Sequence, residues 1–541
     1  MRIGIGQVNS HVGAIERNRD RILAHVSEAR DLHCDLVIFP ELAVCGYPPL
    51  DSVWRPGYVR ACEGAIETIC DSATGIGVVV GSITARAKRE SVNRHDLSSL
   101  ADDAENELFN TAVLIEDGRI LGRAAKIHLP RYDVYDENRY FSPGPGTEVF
   151  AFRGQTIGIN IREDLWVGGG PTELQASLGA DWIINLSASP FYVGKGAIRH
   201  RLARQRAKEN GVGIVCAHLV GGQDDVVFDG GSFIVDAEGS LLFQAPSFAE
   251  GLYVFDLSDP HPVKHNEPDD LDQLRSALVL GIRDYVLKNG FKSVVIGLSG
   301  GIDSALVTAL AVEALGSEQV TAVYLPSEFS SEESRADANE IARRLSVELL
   351  EIPLADVHRA LRDAIPETPS GLTDENLQPR ARGTILMALA NQRNALALCP
   401  GNKSEIATGY NTLYGDTVGA LAPIGDLYKA DVYCLAESLG ERIPSRVLKK
   451  PPTAELRPGQ RDEDDLPPYS VLDPLLEQII EGNRSRAELI SAGFDTELVD
   501  RVLSRYYTSE HKRHQLPLAI KVTPKAFGLG RRMPITNAYR D

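Results

Sequence analysis

A chain of 541 residues exceeds what one ordinary hydrophobic core serves, so two large domains are the simplest division. Its 43% hydrophobic and 24% charged residues match a globular protein and exclude a disordered or collagen-like one. A net charge of −19 excludes nonspecific binding to nucleic acid or an anionic membrane, because those partners require a basic surface that displaces counterions.

From residue 1 to about 256, short strand-like runs alternate with helical patterns. The runs are RIGIGQV, DLVIFPEL, IGVVVGSI, TAVLIEDGRI, TIGINI, DWIINLSAS, GIVCAHLV and SFIVDAEG, enough for two sheets. Helical patterns cover 16–32 and 196–210, and the polar stretch 86–107 reads as a surface insertion. The basic run RHRLARQRAK, residues 199–208, is interrupted by apolar residues at helical spacing and reads as a solvated helix face. The start, MRIGIGQVNS, lacks a signal peptide's basic and apolar segments, and no apolar run is long enough to span a bilayer. Seven cysteines without a CxxC pair read as reduced thiols in a cytoplasmic protein, with Cys45 and Cys216 packed in the core.

Residues 256–273, DLSDPHPVKHNEPDDLDQ, concentrate proline and acid and read as a linker, giving domains 1–256 and 273–541 with 257–272 between them. A helix at 272–288 then leads to the strand SVVIGL, a glycine-rich turn and another helix, the β-loop-α opening of a parallel nucleotide-binding sheet. The strand QVTAVYLP and a helix over 332–345 repeat the unit. The turn is SGGIDS, Ser299 to Ser304. Gly300 and Gly301 let backbone N–H groups converge on an anion at a helix N-terminus, and the hydroxyls of Ser299 and Ser304 add donors. A Walker A loop would carry a lysine beside the serine, and none is present.

SGGIDS resembles the pyrophosphate loop of the ATP pyrophosphatases. With LPSEFSSEESRADA, ENLQPRARGTILM, GNKSEIATGYNTLYGD, PIGDLYKADVY, KKPPTAELRPGQRDEDDLPPY and SEHKRHQLP, residues 273–541 resemble the NAD synthetases. That resemblance implies ATP and Mg²⁺ with no tightly bound organic cofactor, and deamido-NAD and ammonia as further substrates. Ser299, Gly300, Gly301, Asp303, Ser304, Lys429 and Thr453 would hold ATP, with Lys429 also catalytic. Asp303 and Glu405 would bind magnesium, and Asn376, Arg380 and Asp416 would bind deamido-NAD. Taken singly, these are also ordinary residues: Glu405 and Asp416 as solvated carboxylates, Arg380 as a surface ion pair, Lys429 as a helix-end charge. Near the C-terminus, Lys525, Arg531 and Arg532 would touch a neighbouring subunit or a phosphate, or cap the tail.

FPELAVCGYPPLD, RAAKIHLPRYDVYDENRYFSPG and IREDLWVGGGPTELQASLGADWIINLSASPF make residues 1–256 resemble the nitrilase superfamily, in particular the glutamine amidase domain of long-form NAD synthetases. The implied fold is an αββα sandwich followed by a Rossmann-like parallel sheet. In that family a glutamate, a lysine and a cysteine act together, the thiolate attacking the amide carbon. Glu41 and Lys126 match the first two, and Arg162 stands where the family has cysteine. Glu137 matches a second glutamate, and Tyr47 and Tyr132 match residues that frame the pocket. Arg162, lying among Glu41, Glu137 and Glu163, is expected to pair with these carboxylates and fill the site, leaving free ammonia as nitrogen donor and the domain as a homo-oligomer scaffold. Two alternatives stand beside this. One keeps glutamine as donor, through a variant codon at 162 or an unrecognised nucleophile; the other is a noncatalytic metabolite-binding oligomer.

Overall fold

The computed structural model describes residues 1–87, 106–263 and 269–540. Compact units form from Met1–Gln223 with Val227–Pro268, and from Asp224–Val226 with Asp269–Asp541.

In the first unit the described residues form two six-stranded sheets. One runs Gly251–Asp256, Arg2–Gln7, Leu36–Ile38, Gly77–Ala87, Asn106–Glu116, Arg119–Ala125 across its width; the other runs Val149–Phe152, Gln155–Ile161, Trp182–Ser187, Gly213–His218, Phe233–Val235, Leu241–Gln244. Each places three parallel strands between antiparallel edges, so the sheets repeat one pairing scheme. Alternation decides what each face meets. Ile3, Ile5, Leu36, Ile38, Val79 and Leu114 pack against Ile157, Ile159, Ile161, Ile184, Leu186 and Val215 in one core between the sheets. Ile183, Ile214, Cys216 and Phe233 instead meet Ala203 and Ala207 of the helix Lys195–Asn210, which gives the outer layer. The αββα expectation holds.

Local turn chemistry and pairing correct three readings. TAVLIEDGRI is a hairpin: Asp117 and Gly118 both have positive φ, 47° and 72°, the combination a two-residue turn between twisted strands requires. Residues 86–87 and 106–107, placed in the insertion, continue the paired strands Gly77–Ala87 and Asn106–Glu116, while the rest of that insertion, 88–105, lies outside the described residues, as do 264–268 of the linker. The basic helix face is not wholly solvated, because Arg199 and His200 are buried and Arg199 forms an ion pair with Asp229.

The second unit has an all-parallel sheet ordered Glu348–Glu351, Val320–Tyr324, Val294–Gly297, Leu396–Leu398, Leu421–Ala422, Leu518–Ala519. Numbered along the chain this is 3-2-1-4-5-6, whose direction reverses between Val294–Gly297 and Leu396–Leu398. Open α/β sheets bind ligands beyond the strand ends at such a switch point. Two loops leave from there, one carrying Ser299–Ser304 and the other Asn402–Glu405. Leu472, Leu475, Leu476, Val499 and Val502 build a separate helical core beside Ala407. Among the described residues no helix is long and apolar enough to cross a membrane.

All three tryptophans, Trp54, Trp166 and Trp182, belong to the first unit, so intrinsic fluorescence reports its unfolding alone. Ile184→Ala removes side-chain volume from the core between the sheets and is expected to cost about 2–5 kcal/mol. The check is the urea midpoint of the tryptophan transition.

Candidate functional site

In the first unit Lys126 immediately follows the strand Arg119–Ala125, Arg162 immediately follows Gln155–Ile161, and Glu41 lies just beyond Leu36–Ile38. Glu137 opens a short 3-10 turn, Glu137–Arg139. Lys126 Nζ donates to Glu41 Oε1 at 2.6 Å and to Glu137 Oε1 at 2.8 Å, all three side chains being buried. Asn110 Nδ2 and the Ala188 backbone N–H donate to Glu41 at 2.8 and 2.9 Å, and Tyr47 donates to Glu137 at 2.8 Å. Burial pushes the Glu137 carboxyl above its usual range, and Lys126 only partly restrains it. Burial also opposes the charge on Lys126, but Glu137 and Glu41 outweigh it and raise its pKa.

Arg162 sits at the elbow between its strand and the helix Glu163–Trp166, with φ 37°. Non-glycine residues adopt that conformation at a cost of order 1–3 kcal/mol, most often at functional positions. The residue is 1% exposed. The guanidinium lies 3.8 Å from the Tyr135 ring centroid and 3.4 Å from Glu163 Oε2. Nε and Nη1 make no hydrogen bond. Burial opposes the charge here too, yet Tyr135, Tyr47 and Glu163 hold the group well above the usual arginine value. The expected pairing of Arg162 with Glu41 and Glu137 is therefore corrected. Lys126 already occupies both carboxylates, and Arg162 reaches Glu163 and an aromatic face instead. Tyr132, at 52% exposure, donates to Glu163 Oε1 at 3.0 Å.

Asp164 and Tyr135 escaped the sequence reading. Asp164 Oδ1 accepts the His128 backbone N–H at 2.8 Å and Oδ2 that of Ile161 at 3.3 Å, tying the Lys126 segment to the elbow. Neither nearby thiol resembles a nucleophile. Cys45 is fully buried, directs Sγ at the Leu42 and Gly46 carbonyls at 3.8 and 3.5 Å, and is pushed well above the usual thiol range by burial. Cys216, on the strand Gly213–His218, is buried against the outer helix Lys195–Asn210.

The second unit holds a cavity of 720 Å³ at its switch point, lined by Ser299, Gly301, Asp303, Ser304, Asn376, Glu405, Asp416, Lys429 and Thr453 among others. Gly300 lies behind that wall with φ 84°, where a Cβ would come within 2.5 Å of the Ser334 carbonyl oxygen. The hydroxyls of Ser299 and Ser304 lie 3.2 Å apart, and Ser304 also donates to the Gly301 carbonyl at 3.0 Å. Gly301 begins the helix Ile302–Leu315 without a side-chain cap, so the loop meets the anion-favouring end of a helix. Arg380 departs from expectation: it is not among the cavity residues and donates to the Leu413 carbonyl at 3.3 Å.

Lys429 is the centre of charge. It pairs with Asp303 and lies 3.6 Å from Glu405 Oε1. Burial opposes its charge, but Asp303 and Glu405 outweigh it and raise its pKa. Glu405 is pushed up to about 8 by burial, with Asp303 and Asp462 adding repulsion against the pull of Lys429. Asn402 caps the helix Lys403–Thr408 in a reciprocal box with Glu405, and its Nδ2 donates to Asp303 Oδ1 at 3.0 Å. The Asn-x-x-Glu spacing was the available signal for this residue. Asp416 accepts the Thr412 backbone N–H at 2.7 Å and is pushed up to about 6 by burial. Thr412 also donates to Asn376, at 2.7 Å. Thr453 donates to the Gln460 carbonyl at 2.6 Å.

The carboxylate oxygens of Asp303 and Glu405 are hard donors, and the repulsion that Lys429 only partly offsets is what a divalent cation relieves, so the residues fit Mg²⁺. Among the described residues no cluster of three or more metal-ligating side chains is preformed.

The carbon-nitrogen hydrolase family model matches residues 2–259 and the NAD synthase model residues 274–516. The chain belongs to the glutamine-dependent NAD(+) synthetase family. Relatives of that name from Synechocystis sp. and Xanthomonas campestris pv. campestris are 40% and 41% identical over 561 and 558 residues, covering 99% and 100% of this chain and 99% and 98% of theirs. A solved glutamine-dependent NAD+ synthetase from Acinetobacter baumannii in complex with ADP is 35% identical, with TM-score 0.77 and 100% and 99% coverage. One from Cytophaga hutchinsonii, at 21% identity, TM-score 0.82 and 99% and 98% coverage, matches in fold.

Lys126→Met would leave Glu41 and Glu137 buried without their shared cation, at an expected cost of about 3–5 kcal/mol. A buried carboxylate whose folded pKa is raised gains stability as pH falls, because the folded state takes up the proton more readily. The deficit of Lys126→Met should therefore be larger at pH 7.5 than at pH 5. Tryptophan-monitored urea melts at the two pH values measure it.

Proposed function

We propose that this chain makes NAD by ATP-dependent amidation of deamido-NAD, and that its nitrogen donor is free ammonia rather than glutamine. The observation that carries the second half is Arg162: a buried guanidinium at the strand-to-helix elbow, stacked on Tyr135, beside an otherwise intact Lys126, Glu41 and Glu137 group. A guanidinium stays protonated and has no lone pair for attack on an amide. No thioester can form at that position, and neither Cys45 nor Cys216 takes over. The glutamine-dependent relatives carry the same two domains, so family membership by itself does not decide the donor.

In the synthetase unit the nicotinate carboxylate attacks the α-phosphorus of ATP, an oxygen–phosphorus bond forms, and pyrophosphate leaves with the electrons of the broken α–β bond. Ammonia then attacks the acyl carbon, AMP departs, and the nitrogen loses a proton to give the amide. Ser299, Gly300, Gly301, Ser304 and Thr453 hold the phosphates, and Asn376 and Asp416 orient the dinucleotide. Arg380, aimed at a backbone carbonyl, acts from outside the cavity wall. Lys429 offsets charge on the departing pyrophosphate in a desolvated site, where a fixed cation is most effective. Asp303 and Glu405 would hold Mg²⁺, which when bound neutralises phosphate charge. The reading includes a cytoplasmic setting, consistent with seven free thiols, and a homo-oligomer in which the first unit serves as scaffold.

NAD formation with ammonium, set beside formation with glutamine, tests this. The native chain should use glutamine at least about 10³-fold more slowly than ammonium, well within the roughly 10⁶-fold loss that removing a nucleophile can cause. Arg162→Cys should gain glutamine use while keeping its ammonium rate. Glutamine use by the native chain at a rate near its ammonium rate would sink the proposal.

A further inference from the structure

The helix Lys429–Ser438 begins at Tyr428, whose side chain cannot cap it. A helix leaves its first backbone N–H groups without internal partners, here among them those of buried Lys429 and its neighbour Ala430. Two side chains from other elements satisfy them. Ser404 Oγ accepts the Lys429 N–H at 3.0 Å, and Asp473 Oδ2 accepts the Ala430 N–H at 2.9 Å. Ser404 in turn donates to Asp473 Oδ1 at 2.6 Å, closing a cap supplied entirely in trans. Ser404 is 0% and Asp473 5% exposed.

Both capping residues are tied to the site. Ser404 lies between Lys403 and Glu405 in the capped helix Lys403–Thr408, whose ends of the box, Asn402 and Glu405, face Asp303 and Lys429. Behind it Lys403 Nζ is anchored to Asp426 at 2.8 Å and Glu481 at 2.6 Å. Asp473 belongs to the helix Tyr469–Ile480. Tyr469, one turn earlier on the same face, puts its ring 5.4 Å from Lys429 Nζ. One helix thus holds the lysine twice, by ring against ammonium and by carboxylate against the backbone just beyond it.

We infer that Ser404 and Asp473 are positioning residues for Lys429: they fix the backbone from which its ammonium reaches Asp303 and the phosphate site. They touch neither substrate nor the reacting atoms. The inference rests on the reading of Lys429 as the phosphate-facing cation, and its test separates the two.

The test measures AMP formation from ATP, deamido-NAD and ammonium by the full chain carrying Asp473→Asn, Ser404→Ala, Lys429→Met, and each cap variant combined with Lys429→Met. Asp473→Asn leaves one acceptor oxygen where the Ser404 hydroxyl and the Ala430 N–H use two. Ser404→Ala leaves the carboxylate charge in place. Each cap variant is expected to lower kcat at least tenfold with the KM for deamido-NAD changed less than threefold. The same substitution should cost less than twofold when Lys429 is already methionine, because the lysine it positions is gone. An equal loss in both backgrounds would mark a general structural role and overturn the inference, as would wild-type kcat in both cap variants beside a crippled Lys429→Met. Full activity of Lys429→Met would instead overturn the underlying role of Lys429, and the inference with it. If Asp473→Asn does not fold, Ser404→Ala alone decides by the same criteria.

Discussion

Buried charge must be neutralised where it sits, and both candidate sites are built around one lysine that does so. Lys126 bridges Glu41 and Glu137 in the first unit. Lys429 serves Asp303 and Glu405 in the second. In each, carboxylates outnumber the lysine and at least one is driven upward in pKa. The resolution differs. In the synthetase unit the imbalance faces the cavity lined by Ser299, Gly301, Asp303 and Ser304. In the amidase-type unit a second fixed cation, Arg162, has entered, and it meets Glu163 and Tyr135 because Lys126 already holds the other two carboxylates.

On the proposed reading, one domain keeps its architecture while its chemistry changes. The elbow conformation at residue 162 is set by the strand before it and the helix after it, and Asp164 ties it to the Lys126 segment. A side chain placed there departs from the same backbone whatever its identity. Cysteine would present a small nucleophile; arginine presents a large permanent cation with two nitrogens lacking hydrogen bonds. The Lys126 group does not depend on residue 162 for its own hydrogen bonds, so it remains assembled.

Much of this was legible in the sequence, and the exceptions have physical causes. Apolar alternation located the strands of the sandwich, and strand, SGGIDS and helix marked the loop that lines the cavity, because those signals are local. Which carboxylate pairs with which cation is not local. Arg162 and Lys126 were both placed near Glu41 and Glu137, and only the folded backbone decides that Lys126 reaches them. Asp473 and Ser404 lie far apart in the chain and cap a third element, so no spacing rule finds them. The burial of Arg199 was hidden for the same reason: its partner Asp229 is remote. Asn402 is the opposite case, since its Asn-x-x-Glu box was present in GNKSE. Arg380 matched a family motif, yet its side chain turns to the Leu413 carbonyl, a choice made by tertiary packing.

The central claim is that nitrogen reaches NAD without passing through the first unit's site. Its most direct measurement supplies the full chain with ¹⁵N-ammonium and unlabelled glutamine together and reads the mass of the NAD formed. Product carrying ¹⁵N throughout is the expected result. Unlabelled NAD as the main product would contradict it, because the amide nitrogen of glutamine would then have been released at a site where Arg162 leaves no nucleophile.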